Sequence, residues 1–60
     1  MSKEIIAIAK HDIEQAEIQL ETARDLIERL KKAGETTAEL ESDYARAQAR
    51  LRRFKLAFGE

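Results

Sequence analysis

Sixty residues with 11 Lys plus Arg against 12 Asp plus Glu carry a net charge of −1, and the chain has no Cys, no Pro, no Trp and two Gly. That length holds one small domain (residues 1–60), whose core rarely supplies more than about 3 to 5 kcal/mol unaided. Disulfides and thiolate metal sites are excluded, one His makes no ligand set, and no cofactor is expected, so self-association is the remaining staple.

No apolar run reaches the roughly 18 residues that span a bilayer, and the opening Met1-Ser2-Lys3-Glu4 lacks a signal-peptide plan, so a soluble, cytoplasmic protein is expected. Ten Ala, six Ile and six Leu with no Val, among abundant Glu, Arg and Lys, are helix chemistry. A charged fraction of 38% also admits disorder, yet the apolar residues keep a strict period that a disordered chain has no reason to hold.

The first predicted element runs over roughly residues 3 to 33, capped by Ser2. Ile6, Ala9, Ile13, Ala16, Leu20, Ala23, Ile27 and Leu30 alternate in steps of three and four, the seam of helices that pack along their length. Large residues at one heptad position alternate with mostly Ala at the other, which lets neighbouring helices approach closely. Ile5 and Leu26 flank this seam and Ile8 extends it, so the helix is apolar over more than one line.

A turn is predicted at Gly34. Gly suits the left-handed residue that ends a helix, with Lys31 and Lys32 in the last turn opposing the negative end of the dipole. Thr36 with Glu39 reads as a capping box for the next helix. One continuous helix would carry the first seam onto Gly34, Glu41, Gln48 and Lys55, burying polar layers, so a hairpin is favoured.

The second predicted helix covers roughly residues 37 to 58, closed by Gly59, with Leu40, Tyr44, Ala47, Leu51, Phe54 and Phe58 as its seam. Between Asp12 and Glu28 the first helix holds six acids and one base, whereas Tyr44 to Phe58 holds five bases and no acid. An antiparallel hairpin sets these blocks face to face, with Glu17 expected opposite Arg52 and Glu14 opposite Lys55. Exposed pairs contribute only about 0 to 1 kcal/mol each, so they set orientation rather than stability.

The fold expected is all-α: an antiparallel two-helix hairpin that assembles as a homodimeric four-helix bundle. Its interface would draw on Ile6, Ile13, Leu20, Ile27 and Leu30 of the first helix and on Leu40, Tyr44, Leu51, Phe54 and Phe58 of the second. The first helix outlasts the second by about ten residues, roughly 15 Å, which leaves Ile5, Ile6 and Ile8 overhanging as a contact for a sister chain or another protein, or as cover for the open end of the bundle. Ile18 and Leu56 point away from the seams and form a second possible patch for a partner or a higher oligomer.

This pattern of two helices with alternating large and small core layers resembles the family of the plasmid RNA-binding protein Rop. The resemblance implies a bundle-forming dimer. That family binds RNA through basic and aromatic residues of helix 1; here helix 1 carries Glu14, Glu17 and Glu21, so no contact residue transfers.

Arg46, Arg50 and Arg53 form an outward stripe widened by Arg52 and Lys55, a candidate nucleic-acid face that competes with their service as counter-charges to the first helix. Phe54 and Phe58 are expected in the core rather than stacked on bases. His11 is expected in solvent, and the acids Glu14, Glu17, Glu21 and Asp25 lack a cleft that would desolvate them. Glu41-Ser42-Asp43-Tyr44 is the nearest stretch to the Ser-Gln-x-x-Asp signature of the helical-hairpin sporulation phosphatases, and it lacks both the Gln and the spacing. With no phosphate loop, nucleophile elbow or metal helix, no catalytic residue is assigned. The functional expectation is a non-catalytic oligomerisation and protein-interaction module, with a nucleic-acid-binding dimer as the alternative.

Overall fold

The computed structural model describes residues 2–59, and they fold as an all-helical antiparallel hairpin. Helix α1 spans Lys3–Lys32, helix α2 spans Ala38–Phe54, and a final π-helical turn covers Lys55–Gly59. No helix among these residues is long and apolar enough to cross a membrane.

Alpha-helix 1 starts where the sequence places it. The Ser2 hydroxyl accepts a hydrogen bond from the Ile5 N–H at 3.2 Å, satisfying one donor of the first turn. Its end is a Schellman motif: the Gly34 N–H donates to the Lys31 carbonyl and the Glu35 N–H to the Leu30 carbonyl, both at 3.0 Å. Gly34 reaches this geometry at φ 84°, and no other atom would crowd a side chain there. Gly34→Ala is therefore expected to cost about 1 kcal/mol through backbone strain alone, read as a lower midpoint in urea with an unchanged helical spectrum.

The expected capping box is not formed. Helix α2 begins one residue later than that motif implies, with Thr37 as N-cap and no side-chain bond to the backbone. Thr37 is buried, and its hydroxyl donates instead to Glu41 Oε1 at 2.6 Å, while Lys31 Nζ reaches the same oxygen at 3.2 Å. A hydrogen bond to an ionised carboxylate outcompetes a neutral cap.

These two partners hold the Glu41 carboxyl below the ordinary glutamate range, the Thr37 hydrogen bond foremost and the Lys31 ammonium second. A depressed carboxylate pKa stabilises the fold above the unfolded value, and that contribution is lost as pH falls through the folded value. Acid titration of the parent should accordingly lower the unfolding midpoint in this window more than it does for Glu41→Gln. Because Glu41 is solvent-exposed on one side, the difference is small.

Alpha-helices 1 and 2 pair with a register that differs from expectation by one turn. Glu17 Oε2 lies 2.7 Å from Lys55 Nζ, so Lys55 rather than Arg52 answers Glu17, and Glu14 has no such partner among the described residues. The turn takes more residues than a tight link at Gly34 would, which slides α2 relative to α1. The hairpin is a rod of 48 × 15 × 13 Å with a radius of gyration of 14.3 Å, against about 10 Å for a compact 60-residue domain.

Candidate interaction face

Every position of the α1 seam lies where the period predicts. Ile6, Ala9, Ile13, Ala16, Leu20, Ala23, Ile27 and Leu30 are shielded from solvent, and all other described positions of α1 are exposed. Yet shielding is shallow. Ile13, 8% exposed, is the one buried apolar side chain among the described residues.

Alpha-helix 2 is rotated relative to its expected seam. From its N-cap through the final turn the shielded positions are Thr37, Glu41, Tyr44, Ala49, Leu51, Lys55 and Phe58, whereas Leu40 and Phe54 stay 44% exposed and Ala47 is exposed as well. Phe54 is thus not enclosed within a single chain; the sequence expectation places it in the core of the assembled bundle. The charged members explain the rotation: Glu41 and Lys55 lie along the α1-facing edge and reach across it to Lys31 and Glu17. Long side chains shield apolar surface with their stems while their charged ends meet. Tyr44, Leu51 and Phe58 then make the contact with α1, and the second heptad line of Leu40, Ala47 and Phe54 is left on the flank.

The rod has two unlike long sides. One carries Glu17, Glu21, Arg24, Gln48, Arg52 and Lys55 around a polar furrow. The other is an apolar trough in which Ala16 and Ala23 of α1 face Ala47 and Phe54 of α2, with Asp12, Gln19 and Arg50 as its polar members. Toward the open end the trough continues over Ala9 and Phe58. Exposed Ile5 and Leu26 repeat at seven-residue spacing with the trough members Asp12 and Gln19, which puts them on its α1 flank. Three of the seven large exposed apolar residues, Ile5, Leu26 and Phe54, therefore fall on the trough side. The sequence places Ile18 and Leu56 away from the seams, and both are exposed, Leu56 at 78%.

The basic stripe is partly engaged within the chain. Lys55 pairs with Glu17, Arg46 pairs with Asp43 of its own helix at 2.8 Å, and the Arg50 guanidinium sits 5.7 Å from the centre of the Phe54 ring. Arg53 borders a shallow pocket with Arg50, Phe54, Ala57 and Phe58, and Arg52 lies on the opposite, polar side. The five bases do not share one continuous face.

Fold and surface together define a helical hairpin with one charged and one apolar side. The chain matches no protein-family model, no curated protein and no solved structure.

Proposed function

We propose that this protein is a non-catalytic oligomerisation module: two hairpins bury their apolar sides against each other as a four-helix bundle, and the assembled bundle presents its charged sides to other proteins. One quantity carries the reading. The chain exposes 5136 Å², whereas a compact monomer of 6.9 kDa exposes about 4,000 Å². The excess of about 1,100 Å² per chain matches what a stable interface takes, about 800 Å² from each partner.

The location of that excess supports the same reading, because the trough is lined by Ala at the positions where close approach needs small residues and by Phe and Leu where filling needs large ones. A nucleic-acid-binding dimer is less well supported, since two of the five basic residues are already ion-paired and a third covers a ring. Light scattering on the purified chain at micromolar concentration tests the reading: twice the chain mass is expected, and a folded species of single-chain mass contradicts it.

A further inference from the structure

The exposed stripe beside the trough has an order that specifies how a second copy docks. Ile8, Asp12, Gln15, Gln19, Thr22 and Leu26 follow one another in steps of four and three, and all six are exposed. The stripe reads alike from either end: apolar, polar, amide, amide, polar, apolar. Its centre lies level with Glu17, close to the middle of α1 (Lys3–Lys32).

A two-fold interface requires such a surface, because residue i must suit residue j and j must suit i. We infer that the second copy lies antiparallel on the trough side, α1 against α1, about a two-fold axis level with Glu17. Ile8 then meets Leu26 of the second copy, Asp12 meets Thr22, and Gln15 meets Gln19. This inference rests on the oligomerisation reading above and adds its occupant and orientation.

Two further features agree with that docking. The α1 segment running beyond the end of α2 brings Ile5 and Ile8 to the loop end of the second copy, where Leu26 and Leu40 are exposed. Phe54 of each hairpin comes level with the alanines of the other, so a large residue fills the space that small ones leave. The parallel alternative sets α1 against α2 of the second copy at equal height. The ion pairs Glu17–Lys55 and Lys31–Glu41 show which residues share a height, and they put Leu26 opposite Arg46 and Gln19 opposite Arg53. An apolar side chain would then oppose a charge.

Cysteine cross-linking separates these arrangements, as the chain has no Cys of its own. Ile8→Cys and Leu26→Cys are prepared separately, mixed in equal amounts, equilibrated in a thiol–disulfide buffer and weighed by mass spectrometry. Both positions are exposed, so the variants keep the hairpin. The mixed disulfide is expected to exceed either homodisulfide about tenfold, because a Cα separation beyond about 7 Å forbids bridging and only the docked pair gains effective concentration. A parent of dimeric mass, with the two variants giving no mixed disulfide or with Leu26→Cys linking instead to Arg46→Cys, overturns the antiparallel docking and leaves the module reading standing. A parent of single-chain mass overturns both.

Discussion

Ile13→Asp is expected to abolish helicity at 25 °C, seen as loss of most of the far-ultraviolet helical signal. Ile13 is the most buried apolar side chain of the described residues and lies among Ala9, Ala16, Leu51, Phe54 and Phe58. Truncating a buried isoleucine costs about 2 to 5 kcal/mol, and a carboxylate left there without a partner adds a desolvation penalty. A core of this size holds about 3 to 5 kcal/mol, so the substitution removes all of it. Retained helicity in this variant would place the stabilising contacts elsewhere.

Phe54→Ala is the second large effect, and its size depends on assembly. In a solitary hairpin Phe54 is 44% exposed, and its removal would be mild. Enclosed between two copies, the same ring is a core side chain whose truncation costs about 3 to 5 kcal/mol. The cation–π contact with Arg50 is lost with it. Dimer dissociation constants should therefore rise about 100-fold or more, each 1.4 kcal/mol being about tenfold. Leu56→Ala supplies the comparison: a side chain 78% exposed and away from the trough should leave the constant unchanged. Equal, small effects of both substitutions would show that the trough is not an interface.

The sequence makes α1 legible to the residue because one helix packing along one line leaves a single period. Ser2, the eight seam positions and the Gly34 turn all follow from it. Helix α2 is less legible because two lines compete on it. Leu40, Ala47 and Phe54 are as apolar as Tyr44, Leu51 and Phe58, and apolarity alone does not say which line faces α1. The choice falls to Glu41 and Lys55, whose pairing across the hairpin turns α2 toward its charged edge. Placing Lys55 opposite Glu14, and giving Glu41 no partner, hides this. The same oversight shifts the expected Glu17 partner by one turn and takes Thr36 with Glu39, rather than Thr37 with Glu41, as the motif that starts the helix.

The trough itself was only half visible. Its alanines stand out in the sequence as the small layers of the seam, and the overhanging isoleucines stand out from the unequal helix lengths. What joins them into one side of the molecule is the rotation of α2, which leaves Phe54 and Ala47 beside Ala16 and Ala23 rather than over them. Heptad spacing cannot express that rotation, since it ranks positions by face and not by the neighbour each face meets.

Thermal unfolding followed by circular dichroism at two chain concentrations differing 100-fold tests self-association most directly. Linkage of folding to dimer formation predicts a gain of about 2.7 kcal/mol at the higher concentration. That gain belongs to the dimer and is shared by two chains of 60 residues, so it raises the midpoint by about 10 °C. A cooperative transition at the same temperature in both samples would mean that a single hairpin is stable alone, and would contradict the account.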